Sequence, residues 1–410
     1  MKSKNLWIRF FLFVLGPGLV VMLADTDAGS LITAAQSGAV WGYRMLLLLV
    51  ILIPIVYIAQ ELTVRLGVVT GQGHGELIKS HFGLKWAWLS ISTLILSCMG
   101  AIVCEFTGIA GVGHLLGVPS GLSIGIVIFF MIVMALTGSY HSVERSAILI
   151  GLFELIFVVV AGFAHPHYHE ALTTMWNIPI HSEQYWYLSA ATVGACVMPW
   201  MIFYQQSAVV DKKLKIEHLK MARADTFFGA ILTQIIMISM VVITAATIGK
   251  TNPGASLNTV EQISEALIPF LGKTVGETLF ALGMLGAALV AAIVVSLTAA
   301  WGLGEVTGYK RSLEHHPKEA PWFYGVYSLV LILGGALVAF GGVNLISLNV
   351  AVEVMNAILL PIVLGFLFLL AVKALPEEHR LKGKHAWIVG LILGTTALFG
   401  LISGVWGVFA

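Results

Sequence analysis

The feature that most constrains this chain is a succession of long apolar stretches separated by short polar segments. A membrane-spanning helix needs roughly 20 predominantly apolar residues, and eleven stretches of the sequence reach that length. They are residues 8–38, 43–66, 85–112, 120–139, 143–164, 186–211, 224–249, 276–303, 322–341, 346–374 and 385–409. Within lipid, a helix pairs its backbone groups inside one segment. The pattern therefore predicts an all-α polytopic membrane protein.

The composition excludes several other classes of protein. Only 10% of the 410 residues are charged and the mean hydropathy is +0.94, whereas soluble domains carry about 25% charged residues. The 22 basic and 21 acidic residues leave no basic surface for nucleic acid. The three cysteines form no CxxC pair, and no hydrolase or phosphate-loop motif occurs. We therefore expect no enzyme, no cofactor and no obligate protein partner, with the lipid bilayer as the surroundings.

The basic residues predict the orientation of the chain. With a cytoplasmic N-terminus, 19 of the 22 Lys and Arg residues fall in cytoplasmic segments, as the positive-inside rule requires. The exceptions are Arg44, Lys250 and Lys273. We expect a multi-pass protein of the cell membrane with a cytoplasmic N-terminus and, after eleven spans, an extracellular C-terminus.

Two spans are interrupted in comparable ways. In the first, Gly16-Pro17-Gly18 precedes the polar segment 24–30, and in the sixth, segment 194–200 contains Pro199. Five spans separate the breaks, so two five-helix halves would run in opposite directions, as in transporters with inverted repeats. The predicted units are residues 1–164, an extracellular loop 165–185, residues 186–375 and an additional helix in 376–410. The alternative is two ordinary kinks in a helical bundle.

Polar residues at the two breaks are candidate metal ligands. Asp25 and Asp27 lie in an apolar span, where each aspartate costs about 2.5 to 3.5 kcal/mol to insert. An unwound backbone beside them would add carbonyl oxygens, which suits a desolvated cation. The alternative is a structural role in which one aspartate, Asp25, caps the second half-helix. At the sixth break, the thioether of Met198 would favour manganese or iron, although methionine is often simple core filler.

Three further acids lie within predicted spans, namely Glu105, Glu154 and Glu353. An ionisable group at that depth is a candidate functional residue, although pairing with Arg65 or Arg145 would also explain one or two of them. Glu353 lies in the tenth span, the inverted-repeat counterpart of the fifth. We expect it to approach the broken helices and to take part in the site.

Several segments, taken together and in register over essentially the whole chain, resemble the NRAMP family of divalent-metal transporters. They are Gly16-Pro17-Gly18, Asp27-Ala28-Gly29-Ser30, Trp41-Gly42-Tyr43, Arg65-Leu66-Gly67-Val68-Val69-Thr70-Gly71 and Gly194-Ala195-Cys196-Val197-Met198-Pro199. The resemblance implies a LeuT-like fold with eleven transmembrane helices. It also implies that a metal ion is held between broken helices one and six by Asp27, Ser30, the Ala195 carbonyl and Met198.

The chain also departs from the family pattern. Ala28 and Ser30 replace a proline and an asparagine of the first motif, and Glu353 stands where the family has a glutamine. Trp200 and Ile102 stand where the family has a histidine and an aspartate of its proton route. These departures resemble the NRAMP-related magnesium transporters.

The predicted function is import of Mg²⁺ or Mn²⁺, or both, by a secondary transporter that works by alternating access without obligatory proton coupling. A roomy, acidic pocket with Asp25 and Glu353 suits partly hydrated Mg²⁺, whereas Met198 favours Mn²⁺. The sixth-helix segment also looks one residue longer than the family pattern, which would displace Met198. The alternatives are a proton-coupled Mn²⁺ or Fe²⁺ symporter, and an amino-acid or organic-cation transporter on the same fold.

Overall fold

The computed structural model describes residues 16–137, 140–164, 166, 168–341 and 344–409, with the side chains of residues 140 and 141 left aside. Residues 8–15 of the first predicted span lie outside this range, as do Lys2, Lys4 and Arg9. Within the described residues, the regular structure is entirely helical.

Nineteen α-helices follow one another along the described chain. They are α1 (Pro17–Asp25), α2 (Ala28–Trp41), α3 (Leu46–Thr70), α4 (His74–Phe82), α5 (Leu84–Leu115), α6 (Ser120–Thr137), α7 (Tyr140–Gly151), α8 (Leu155–Phe163), α9 (Tyr168–Thr174), α10 (Glu183–Cys196), α11 (Pro199–Asp211), α12 (Leu219–Ala246), α13 (Ile248–Thr251), α14 (Val260–Glu265), α15 (Ile268–Leu271), α16 (Lys273–Thr307), α17 (Pro321–Phe340), α18 (Leu345–Lys373) and α19 (Gly383–Phe409). Short 3₁₀ turns occupy Gly42–Met45, Leu152–Glu154 and Ile216–His218.

The helices reproduce the predicted spans. Ten segments of the described chain are long and apolar enough to cross a membrane, and the first, Ala28–Thr70, is 43 residues long. That segment holds two predicted spans, because the 3₁₀ turn Gly42–Met45 separates α2 from α3. Helices α1 and α2 form the broken first span, and α10 and α11 form the broken sixth span. The predicted all-α polytopic class with interrupted first and sixth helices is therefore confirmed.

The broken helices lie in the interior of the bundle. In the most apolar window of Glu183–Asp211, 89% of the residues are buried, compared with 17% for Ser120–Thr137 at the periphery. Helix α12 packs along α1, α2 and α3, and α18 packs against α10 and α19. Because the two breaks are surrounded by other helices, their unpaired backbone groups face protein rather than lipid.

One end of the bundle is held by polar contacts. The Asp225 Oδ2 atom of α12 accepts hydrogen bonds from the backbone N–H groups of Gly16, Gly18 and Leu19, at 3.3, 2.8 and 3.3 Å. These groups open α1, so Asp225 stabilises the start of that half-helix. Nearby, the Nζ atom of Lys212 lies 2.9 Å from Glu144 Oε1.

The same end has two more buried acids with full sets of partners. Glu305 accepts hydrogen bonds from the Ser207 hydroxyl at 2.5 Å and from the Gly75 N–H at 2.7 Å. Glu61 pairs with Arg65 at 2.6 Å and with Arg223 at 2.7 Å. At the opposite end, a cavity of about 370 Å³ lies beside the α2 terminus. Its lining includes Trp41, Arg44, Glu170 and Lys250.

Candidate metal site

The first break separates α1 from α2 at Thr26 and Asp27. Asp27 has extended backbone (φ −64°, ψ 176°) and caps α2, since its Oδ1 atom accepts the Ser30 N–H at 2.7 Å. The alternative in which one aspartate caps the second half-helix is therefore right about the cap, but wrong in naming Asp25 as the capping residue. Asp25 is the last residue of α1, and its Oδ2 atom instead accepts a hydrogen bond at 3.0 Å from the Thr233 hydroxyl of α12.

The second break lies directly against the first. Helix α10 ends at Cys196, and α11 begins at Pro199, whose ring nitrogen has no hydrogen to leave unpaired. The last carbonyl groups of a helix have no partner within it, so the Ala195 carbonyl is free to accept the Ser30 hydroxyl at 3.0 Å. The structure thus brings Asp27, Ser30 and Ala195 together at one junction of two helix ends.

Five carboxyl groups surround this junction, and each is at most 1% exposed. They belong to Asp25, Asp27, Glu105, Glu154 and Glu353. Three of the five come from other spans, which contribute α5, the 3₁₀ turn Leu152–Glu154 and α18. The sequence identified each acid separately as an ionisable residue within an apolar span. The fold places all five at one junction.

The glutamates bond to the first break or to its neighbours. Glu105 accepts the Ala28 N–H at 3.2 Å, and Glu154 accepts a short hydrogen bond from the Thr26 hydroxyl. Glu353 accepts the Asn356 side-chain N–H at 3.0 Å. In each case one carboxylate oxygen is engaged.

The second oxygen of every one of these carboxyl groups accepts no hydrogen bond from an N–H or hydroxyl group of the described residues, and the Asp27 and Glu105 side chains lie within hydrogen-bonding reach of each other. None of the five forms an ion pair with a described Lys or Arg. Arg65 pairs with Glu61, and Arg145 is exposed, so the pairing suggested as an alternative does not occur. Buried charges without partners are strongly unfavourable, and a cation at this junction would relieve that cost.

Glu353 lies against the first break, as expected. A Cβ atom built on Gly29 would lie 2.4 Å from Glu353 Oε1 and 3.2 Å from Cys104 Cβ. Only glycine lets the Glu353 carboxylate come this close to the backbone of α2. The tenth span therefore carries its acid to the start of the second half-helix.

Met198 lies at the second break, but its sulfur already has a partner. The indole N–H of Trp200 donates a hydrogen bond to the Met198 Sδ atom at 3.0 Å, and both side chains are fully buried. The thiol of Cys196, two residues earlier, lies near Asp25, Asp27 and Glu353. The sequence analysis did not name this cysteine as a site residue, although its position within the second break was a signal that could have found it.

Among the described residues, no three His, Cys, Asp or Glu side chains are gathered as a ready-made metal centre. An ion at the junction would therefore draw on a mixed set of donors that includes the Ser30 hydroxyl and the Ala195 carbonyl. Oxygen-rich sets of this kind suit hard divalent cations.

Known proteins are similar to this chain over most of its length. The family model described as natural resistance-associated macrophage protein-like (Nramp) matches residues 18–405. A divalent metal cation transporter MntH of Caldanaerobacter subterraneus is 26% identical over 288 residues, covering 66% of this chain and 67% of that protein. A protein of the same name from Bradyrhizobium diazoefficiens is 24% identical, covering 72% and 68%. The prediction that the chain is not an enzyme agrees with these names.

Solved structures show the same fold. A manganese transporter of Eremococcus coleocola, in complex with an aromatic bis-isothiourea substituted compound, superposes with a TM-score of 0.74 at 18% identity, covering 99% of this chain and 89% of that one. The nucleobase-cation-symport-1 transporter Mhp1 gives 0.63 at 15% identity, covering 96% and 92%. MhsT, in complex with L-phenylalanine, gives 0.59 at 12% identity, covering 95% and 98%. The predicted LeuT-like fold is confirmed, and the chain belongs to the Nramp family.

Proposed function

We propose that this protein is a secondary transporter that imports divalent metal cations across the cell membrane by alternating access. The observation that carries the proposal is the group of five buried carboxyl groups, without cationic partners among the described residues, at the junction of two broken helices. In transporters with inverted repeats, such a junction binds substrate, and the helices rock around it. The relatives named as divalent metal cation transporters support the same substrate class.

The proposed ligands come from both breaks. Asp27, Ser30 and the Ala195 carbonyl meet at the junction, and Glu353 reaches it from α18. Asp25 and Met198 complete the set from the ends of α1 and α11. The proposal includes no cofactor, because the metal ion is the transported substrate.

We propose Mg²⁺ and Mn²⁺ as the transported ions. Mg²⁺ takes oxygen ligands at about 2.0 to 2.1 Å and keeps part of its water shell, which suits a site rich in carboxylates. Mn²⁺ accepts the same oxygens and also tolerates a thioether. The resemblance to a manganese transporter supports the fold, and the donor set supports both ions.

The distribution of charge supports a cytoplasmic N-terminus and an extracellular C-terminus. Arg65, Lys212 and Arg223 lie at the end of the bundle where α1 begins, whereas Arg44 and Lys250 line the cavity at the other end. The richly basic end is cytoplasmic by the positive-inside rule. We further propose that residues 1–164 and 186–375 are the inverted repeats, joined by an extracellular loop, 165–185, and followed by an additional helix in 376–410.

Membrane potential alone can drive this import. A divalent cation that enters across 100 mV gains about 4.6 kcal/mol, enough for roughly three decades of accumulation. Trp200 and Ile102, at the positions of the family's proton route, carry no titratable group. His74 is not a substitute, because burial lowers its pKa to about 4 and leaves it uncharged at neutral pH. We therefore propose that proton coupling is not obligatory.

The test is uptake of Mg²⁺ and Mn²⁺ into proteoliposomes under a potassium-diffusion potential, with a pH dye inside. We expect saturable, potential-dependent uptake of both ions without matching acidification, and none with empty liposomes. Uptake of neither ion would overturn the proposal. Acidification that tracks uptake and disappears in Glu105→Gln would identify a proton-coupled symporter instead.

An amino-acid transporter on this fold is the remaining alternative. Such a site would hold a substrate carboxylate at helix N-termini, and five unpaired acids at the junction repel it. Uptake of radiolabelled amino acids in the same liposomes is expected to equal the background of empty liposomes.

A further inference from the structure

The second break contains a contact between two of its own side chains. Met198 is the N-cap residue of α11 and Trp200 is the second residue of that helix. The Trp200 indole N–H points back at the Met198 sulfur, with Nε1 and Sδ 3.0 Å apart. Both side chains are 0% exposed, so water cannot replace either partner.

Because of this contact, hydrogen bonding to Trp200 and metal binding compete for the Met198 sulfur. A thioether binds a metal through its lone pairs, and those lone pairs also accept the indole hydrogen. Trp200 Nε1 has no other partner that the described structure shows, so a metal on the sulfur would weaken the one hydrogen bond of a buried donor. Such a donor is costly to leave unpaired. The carboxyl ligands of the junction each keep a second oxygen that accepts no such hydrogen bond, so they can bind an ion without giving up a contact.

We propose that Trp200 is a specificity-determining residue, which holds the Met198 sulfur by a hydrogen bond and so tilts the site toward hard, oxygen-seeking divalent cations. It acts as a positioning residue, through Met198 rather than on the ion itself. The inference rests on the proposed function, since it assumes that divalent cations bind at the junction.

The experiment compares Cd²⁺, a soft probe, with Mg²⁺, a hard one, in binding titrations of the purified full chain. Trp200→Phe keeps an aromatic ring in the buried position and removes the N–H. We expect Cd²⁺ affinity to rise about tenfold, the equivalent of one hydrogen bond, while Mg²⁺ affinity stays within about twofold. A merely structural role for Trp200 would shift both ions together.

A double-mutant cycle ties the effect to the sulfur. In Trp200→Phe combined with Met198→Leu, the gain in Cd²⁺ affinity is expected to disappear, because the freed lone pairs are gone. Trp301→Phe, a substitution at another buried tryptophan, is the matched control and should leave the Cd²⁺ to Mg²⁺ affinity ratio unchanged.

Two results would overturn the inference. One is an unchanged Cd²⁺ to Mg²⁺ ratio in Trp200→Phe, and the other is a gain that persists in the double variant. Should Trp200→Phe fail to fold, Trp200→Leu, which also lacks a donor, serves in its place with the same expected outcomes. If the unaltered protein binds neither ion, the proposed function fails first, which distinguishes the two failures.

Discussion

Buried acids occur in two regions of this molecule, and they are satisfied in different ways. At the end of the bundle where α1 begins, Asp225 accepts three backbone N–H groups and Glu144 pairs with Lys212. At the central junction, Asp27 and Glu353 each keep one oxygen that accepts no hydrogen bond from an N–H or hydroxyl group of the described residues. The first pattern is that of a structural contact, and the second is the pattern on which we base the proposed cation site.

The contrast shows how to separate structural from functional acids within a membrane. Burial alone does not distinguish them, since Glu305 at the end is 3% exposed and Asp27 at the centre is 0% exposed. The partners do. A carboxylate whose oxygens already accept hydrogen bonds or pair with a cation is a poor ligand for an ion. A carboxylate oxygen without such a partner can supply both a negative charge and a ligand atom.

The strongest test of the contrast is Asp27→Ala, together with the isosteric Asp27→Asn. Removing the charge that both breaks surround is expected to lower metal uptake about 100-fold or more, because an ion would lose a buried charged partner. Asp27→Asn retains an oxygen for the Ser30 N–H, so its thermal stability should stay near that of the unaltered protein. Near-normal Mn²⁺ and Mg²⁺ uptake by either folded variant would contradict the site assignment.

A smaller effect is expected from Glu353→Gln. The carboxylate approaches the junction from α18, and losing its charge should weaken Mn²⁺ binding about tenfold. The matched control is Glu305→Gln, an acid of similar burial at the bundle end, for which the dissociation constant should not change. Equal loss of affinity in both variants would mean that general charge, rather than position, governs binding.

Asp225→Asn tests the structural half of the contrast. An amide oxygen accepts backbone N–H groups less strongly than a carboxylate does at a helix N-terminus. We expect a loss of about 1 to 2 kcal/mol in stability, seen as a lower midpoint of thermal denaturation in detergent, with metal affinity within about twofold. A clear loss of affinity at unchanged stability would place Asp225 with the central acids.

The smallest effect is expected from Glu377→Gln. The Glu377 carboxylate pairs with Lys382 at 3.5 Å near the same end of the bundle, the two side chains are 84% and 64% exposed, and exposed ion pairs contribute only about 0.2 to 1 kcal/mol. The same denaturation assay should show a slight decrease that shrinks further at high salt. A larger loss than in Asp225→Asn would show that this ion pair, and not the cap on α1, dominates the stability of that end.

Much of the fold was predictable because hydrophobic length and helix breakers are local signals. The apolar stretches marked the spans, and Pro199 marked the second break correctly, whereas Pro17 is the first residue of α1 and the first break follows only at Thr26 and Asp27. The acids of the site were also visible, since an ionisable group in an apolar span is unusual. What the sequence could not supply was their grouping around one junction.

Two contacts of the site were not predictable for the same reason. Asp25 and Asp27 are two residues apart and identical in type, so the capping role could not be assigned without the partner of Asp25, Thr233, which lies 208 positions away. Likewise, the motif that contains Met198 does not reveal that the indole N–H of Trp200 donates a hydrogen bond to its sulfur. Such contacts depend on side-chain direction, which periodicity does not encode.

The contact between Gly194 and Glu353 has a consequence for motion. A Cβ atom at Gly194 would lie 1.8 Å from the Glu353 carbonyl oxygen, so α10 and α18 touch backbone to backbone next to two proposed ligands. Closely packed elements resist sliding and transmit displacement. The end of α10 that carries the Ala195 carbonyl and the part of α18 that carries Glu353 would then move together as one rigid unit. The pocket would change shape mainly where α1 and α11 move relative to that unit.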